Sequence, residues 1–197
     1  MTVDTPHGPA RVHLHQVKRP RAGLVLGHGA GGGVKAPDLV AATDAALAAD
    51  VAVALVEQPY LVAGRRSQPP ARQLDAAWIA VVAHLREDAL RDLSLIVGGR
   101  SAGARVACRT AADTGASAVL CLAFPVHPPG RPEKSRLDEL DAVTVPTLVV
   151  QGDKDPFGMP PDDGPARTVV RVNGNHSLRS ATAVERAVTN WLATALR

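Results

Sequence analysis

The sequence predicts an α/β domain with a mostly parallel central sheet covered by helices on both faces. Two observations carry that expectation. Short apolar runs alternate with helical segments along nearly the whole 197-residue chain, the pattern of parallel strands joined by crossover helices. Several runs, Val51–Val56 foremost, are apolar at every position, as strands covered on both faces are.

In chain order, Arg11–Val17 alternates apolar with polar residues and reads as a strand at a sheet edge. Gly23–Gly27 is a short apolar strand, and a glycine-rich loop, His28–Gly33, follows it. Asp38–Asp50 reads as a helix with Leu39, Ala42, Ala46 and Leu47 on its inner face, leading into the Val51–Val56 strand. Gln58–Pro70 holds Pro59, Pro69 and Pro70 and reads as a loop. The clearest helix comes next, where Leu74, Ala77, Trp78, Val81, Val82 and Leu85 keep the i, i+3, i+4 spacing. Leu93–Val97 is a strand, Ala104–Ala112 a small-residue helix, and Ala118–Phe124 a buried strand. A proline-rich loop and a short helix near Leu137–Leu140 precede the strands Val145–Val150 and Thr168–Val172. The last helix turns Val184, Ala187, Val188, Trp191, Leu192 and Ala195 inward. No repeat or linker breaks the series, so residues 1–197 are expected to form a single domain.

Composition narrows the function classes. Hydrophobic residues are 46% and aromatics only 3%, so the core must be built from Ala, Val and Leu. The net charge of +3 is mild, and the arginines are scattered, without the clustered basic stripe of a nucleic-acid binder. Cys108 and Cys121 sit among apolar neighbours and read as buried thiols; neither has the spacing of a metal site. The N-terminal residues lack an apolar signal region and no segment is long enough to span a membrane. A cytoplasmic protein with no metal and no membrane partner is expected.

The chemistry centres on Gly99-Arg100-Ser101-Ala102-Gly103. A G-x-S-x-G between a strand and a helix is the nucleophile-elbow pattern, in which small neighbours let the chain turn sharply and push the serine above the sheet. A serine hydroxyl needs a base to take its proton, and the base needs an acid to orient it. Of seven histidines, only His127 and His176 follow Ser101. His127 precedes every plausible acid, whereas His176 lies between the last strand and the last helix, where the base of such a site belongs. Asp153 and Asp155 compete for the acid in Gln151–Phe157. Asp153, next to Gly152, is assigned to the turn, and Asp155, fixed by Pro156, to His176. Oxyanion donors are expected from the N–H of Ala102 and from the His28–Gly33 loop, with Ala30 chosen and Gly31 the alternative. His28 is expected to order that loop by hydrogen bonding.

Six segments of the chain together carry a resemblance. His28–Gly32, Glu57–Tyr60, Ala63–Arg66, Gly98–Gly103, Gln151–Gly158 and Asn175–Ser177 occur in this order. Together they resemble the small α/β-hydrolase family of dienelactone-hydrolase type, and most closely its bacterial branch, related to the hydrolase-like domain of a chromatin acetyltransferase complex subunit. The resemblance implies an α/β-hydrolase sheet and the triad Ser101, Asp155 and His176. Dienelactone hydrolases proper use a cysteine where this chain has Ser101, so lactone chemistry does not carry over. No stretch between Phe124 and Val145 is long enough for a helical cap, so an open site is expected.

A serine hydrolase of small-molecule carboxylic esters or thioesters follows as the expectation, with no cofactor. The alternative is a catalytically silent hydrolase fold used as a binding or scaffold module, and peroxidase or transferase chemistry would use the same residues. Activity is expected to fall as acidification protonates His176. Arg65 and Arg66, after the Val51–Val56 strand, read as a clamp for a substrate carboxylate or phosphate, as a solvated surface pair, or as a salt bridge to Glu57. Arg100, beside the serine, raises the same question.

Overall fold

The computed structural model describes residues 1–164 and 166–196. Its elements are β1 (Thr2–Val3), β2 (Ala10–His15), β3 (Ala22–Gly27), α1 (Pro37–Ala48), β4 (Val51–Glu57), α2 (Pro59–Val62) and α3 (Ala71–Glu87). The second half holds β5 (Leu95–Arg100), α4 (Ala102–Thr110), β6 (Ala118–Leu122), α5 (Leu137–Asp141), β7 (Thr147–Gly152), β8 (Arg167–Val172) and α6 (Ala181–Ala195). The strands form one sheet in the order β1-β2-β4-β3-β5-β6-β7-β8. From β4 to β8 every pairing is parallel, while β1 and β2 are antiparallel to their neighbours.

Alternation along the buried strands sorts the apolar residues onto two faces. Val25, Ala54, Val97, Val119 and Val149 join the core under α3 and α4. Leu24, Leu26, Val53, Ile96 and Leu120 join the core under α1 and α6. Each helix turns in the face its periodicity marks: Leu74, Trp78, Val81 and Leu85 of α3 and Val184, Val188 and Leu192 of α6 are buried. This is an α/β-hydrolase fold without a cap; between β6 and β7 the only helix, among the described residues, is the five-residue α5.

Three details depart from the sequence expectation. The strand at Ala10–His15 is not the sheet edge, because two residues of polar context, Thr2 and Val3, pair outside it. Within the loop Gln58–Pro70, Pro59–Val62 closes one helical turn, with Pro59 at a first-turn position where its missing N–H costs nothing. The elbow strand runs on through Gly98 and Gly99 to Arg100, and α4 starts at once at Ala102. Glycine's low strand propensity hides that extension in the sequence.

Candidate active site

The parallel strands deliver their carboxyl ends to one edge of the sheet, where ligands bind in such folds. Ser101 stands there between β5 and α4 with φ 52° and ψ −108°. A left-handed φ on a non-glycine residue costs about 1–3 kcal/mol and persists only where its surroundings impose it. Here the Ser101 N–H donates to the Leu122 carbonyl at 2.8 Å. The crossing of strand and helix is so close that a Cβ on Gly103 would lie 2.4 Å from the Gly27 oxygen. Glycine at both ends of the pentapeptide is what lets the serine take this conformation.

His176 lies in the connection from β8 to α6 and reaches both partners. Its Nε2 is 2.8 Å from Ser101 Oγ, and its Nδ1 is 2.8 Å from Asp155 Oδ2. The Asp155 side chain is 1% exposed, and its other donors are the Phe157 N–H to Oδ1 and Gln151 Nε2 to Oδ2, both at 2.9 Å. An ionised carboxylate only accepts, so Nδ1 of His176 must carry the proton and Nε2 is left bare toward the serine hydroxyl. Phe157 stacks on the imidazole with ring centroids 4.1 Å apart.

Asp153 does different work: it is exposed, and its Oδ1 accepts the Gly174 N–H at 2.9 Å. His127 donates to the Pro128 carbonyl at 2.9 Å and packs beside Gly158, in the turn after β6.

The loop after β3 is held from two sides. Buried His28 donates Nδ1–H to the Gly29 carbonyl at 2.7 Å and accepts the Gln58 N–H on Nε2 at 3.0 Å. Burial pushes its pKa below the ordinary histidine value, against smaller upward pulls from the Gly29 carbonyl and Glu57, so the ring is held neutral. Tyr60 Oη donates to the Ala30 carbonyl at 3.1 Å. Ala102 is the first residue of α4, so its N–H has no acceptor within the helix.

The arginines separate. Arg65 and Arg66 are exposed. The bridge to Glu57 does not form, because Arg11 and His13 take that carboxylate at 3.1 and 3.0 Å. Arg65 borders a cavity of about 290 Å³ walled by Pro9, Tyr60, Val62 and Leu74, and Arg66 does not. Arg100 is no free clamp: its Nε is 2.9 Å from buried Asp38, and its Nη2 donates to the His176 carbonyl at 3.1 Å.

The sequence assigns no role at the site to Gln151, Phe157 or Asp38. Gln151 looks like one more residue of a buried strand and Asp38 like a helix-start carboxylate, and no local pattern pairs either with its distant partner. Among the described residues, no group of three or more His, Cys, Asp or Glu side chains is placed to hold a metal ion, and no helix is long and apolar enough to cross a membrane.

Residues 20–196 match the alpha/beta hydrolase domain family. The chain belongs to that family. No curated protein matches it in sequence. Solved structures share its fold at low identity. A serine hydrolase without a lid from Xanthomonas campestris superposes with a TM-score of 0.81 at 21% identity, covering 98% of this chain and 93% of that one. Est1E from Butyrivibrio proteoclasticus, solved with ferulic acid bound, gives 0.79 at 17%, covering 98% of each. Dienelactone hydrolase from Anabaena variabilis gives 0.75 at 17%, covering 100% of this chain and 97% of that one. At these identities the likenesses show the fold, and none of them bears on a link to a chromatin complex.

Proposed function

We propose that this α/β-hydrolase is a serine hydrolase of small-molecule carboxylic esters or thioesters. The observation that carries the proposal is the single imidazole of His176, 2.8 Å from both Ser101 Oγ and Asp155 Oδ2, which is the geometry of nucleophile, base and orienting acid.

In this reading Ser101 Oγ attacks the carbonyl carbon as its proton passes to His176 Nε2. The tetrahedral oxyanion is held by the N–H groups of Ala102 and Ala30, whose positions are fixed before reaction by α4 and by the Tyr60 and His28 contacts. Collapse breaks the bond to the alkoxide or thiolate, which leaves with the proton from His176. Water, deprotonated by the same imidazole, then attacks the acyl-enzyme, and His176 returns that proton to Ser101 Oγ as the acyl–oxygen bond breaks and the acid leaves. Asp155 keeps the Nδ1–H tautomer and stabilises the imidazolium. No cofactor enters any step. Arg65, at the rim of the cavity beyond Tyr60, is the residue proposed to meet an anionic group on the substrate. Cys108 and Cys121, buried and 3.5 Å apart as thiols, suit the reducing cytoplasm.

Fluorophosphonate labelling tests the proposal. Wild type is expected to label at one site, with labelling abolished in Ser101→Ala and strongly slowed in His176→Ala. Folded wild type that fails to label would favour the scaffold alternative.

A further inference from the structure

We propose that Arg100 is a positioning residue whose guanidinium, anchored on buried Asp38, fixes the His176 loop and the oxyanion loop relative to Ser101. The inference rests on the serine-hydrolase reading above.

Arg100 is the last residue of β5 and precedes Ser101 directly. Its three nitrogens face three different segments. Nε lies 2.9 Å from Asp38 Oδ2 at the start of α1. Nη2 donates to the main-chain carbonyl of His176 at 3.1 Å. Nη1 lies on the side of Gly29, in the oxyanion loop, where a Cβ would come within 2.7 Å of it. One rigid plane therefore bonds the helix behind the site and the loop that carries the base, and fills the space a side chain at Gly29 would take in the loop that carries an oxyanion donor.

Asp38 makes the plane hard to move. Its side chain is 0% exposed, and Oδ1 accepts the Leu39 N–H at 2.9 Å. Burial raises its pKa, and the positive charge of Arg100 is the largest influence in the other direction. A carboxylate buried this deeply needs its cation, so the guanidinium cannot swing toward a substrate without stranding a charge. That is why Arg100 is assigned to positioning and not to a substrate clamp. Arginine is suited to the task because its donors hold a fixed planar fork, which one ammonium cannot reproduce. Displacement of a catalytic group by about 1 Å can cost about a hundredfold in rate, so small shifts of either loop should be visible in turnover.

The test compares wild type with three variants in thermal melts, fluorophosphonate labelling and hydrolysis of p-nitrophenyl acetate. Arg100→Lys keeps a charge beside Asp38 but loses the fork. Gly29→Ala drives a methyl against Nη1 and leaves the ion pair chemically intact. Arg109→Met removes a different partly buried arginine, paired with Asp75 and Glu139, and controls for the loss of any ion pair on this stretch of chain. Arg100→Lys and Gly29→Ala should each lower kcat about tenfold or more with KM within about twofold. Arg109→Met should lower Tm and leave kcat within about twofold. Folded Arg100→Lys with wild-type kcat overturns the assignment, and so does an equal kcat loss in Arg109→Met. Should Arg100→Lys not fold, Gly29→Ala decides by the same criterion. Wild type that neither labels nor turns over removes the serine-hydrolase reading and this assignment together; active wild type with unchanged variants removes the assignment alone.

Discussion

Gln151 donates from Nε2 to Asp155 Oδ2 at 2.9 Å, the same oxygen that faces His176 Nδ1. The Phe124 and Gly158 carbonyls also lie 3.1 and 2.8 Å from Nε2, so three acceptors share its two N–H groups and one side chain at the end of β7 ties the acid loop to its surroundings. Gln151→Met keeps the volume and removes the donor. We expect stability to fall by about 1–3 kcal/mol, the cost of stranding buried acceptors, and kcat/KM to fall about tenfold as Asp155 loosens. Denaturant melts and ester kinetics on the same preparation check both numbers.

Asp153 and Asp155 give a sharper contrast, being two residues apart with opposite exposure. Asp155→Asn places an amide beside Nδ1–H and Gln151, and it favours the wrong histidine tautomer. Turnover should drop on the order of 10⁴-fold, the loss seen when the orienting acid of such a triad becomes an amide. Asp153→Asn keeps an oxygen for the Gly174 N–H and should leave turnover within about twofold of wild type. Equal losses at the two positions would remove the assigned division of labour.

How far the sequence reaches can be seen from these residues. The strand and helix series was legible because burial on both faces leaves unbroken apolar runs and because α3 and α6 keep a strict period. Ser101, His176 and Asp155 stood out because each follows a strand at the sheet's carboxyl edge. The contacts around them were not legible. Gln151 meets Asp155 only because the loop after β7 doubles back, and Arg100 meets Asp38 across the join of two segments more than sixty residues apart. Pairings of that kind are made by tertiary geometry and leave no period or motif in the chain. The Arg65–Glu57 bridge failed for a related reason: β2 pairs with β4 in a register that puts Arg11 opposite Glu57, and that pairing claims the carboxylate first.

His28 predicts a pH dependence of stability. Its folded pKa lies below the ordinary value of 6.5 because burial penalises the imidazolium. Below about pH 6.5 the unfolded chain therefore takes a proton that the folded chain refuses, and stability falls as pH falls through that window. Tm measured from pH 7.5 to 5.5 should decline in wild type. His28→Gln, which does not titrate, should start lower and show a shallower slope; identical slopes would mean that other groups carry the dependence.

Arg65 and Arg66 are adjacent, yet only Arg65 borders the cavity beside Tyr60. For an exposed arginine a charged contact to an anionic substrate is worth about 0.2–1 kcal/mol. Arg65→Gln should therefore raise KM for a carboxylate-bearing ester up to about fivefold and spare a neutral ester of the same length. Arg66→Gln should change neither. Steady-state kinetics with the ester pair decides, and equal shifts for both esters would show that Arg65 does not read charge.

The glycines predict where the elbow tolerates nothing and where the oxyanion loop is open. A Cβ at Gly103 would fall 2.4 Å from the Gly27 carbonyl oxygen and 2.8 Å from that of His28. Both contacts are main-chain atoms of the central strand and the start of the oxyanion loop, so neither can rotate aside as a side chain could. Relief must come from sliding α4 away from β3, which would move Ser101 with it. Gly103→Ala should thus cost about 1–3 kcal/mol or more and abolish labelling in whatever protein folds. At Gly31 a Cβ meets nothing within 4 Å, and the residue is not among those with positive φ, so Gly31→Ala should keep wild-type stability within about 0.5 kcal/mol. Because Gly31 directly follows Ala30, a substitution that removes its N–H tests which of the two serves the oxyanion. Alanine keeps the main-chain donor at either position, whereas Gly31→Pro removes the N–H of Gly31 alone. Retained labelling in Gly31→Pro would leave Ala30 as the donor; its loss in a folded variant would mean that the donor is Gly31 or an Ala30 N–H displaced by the proline that follows it.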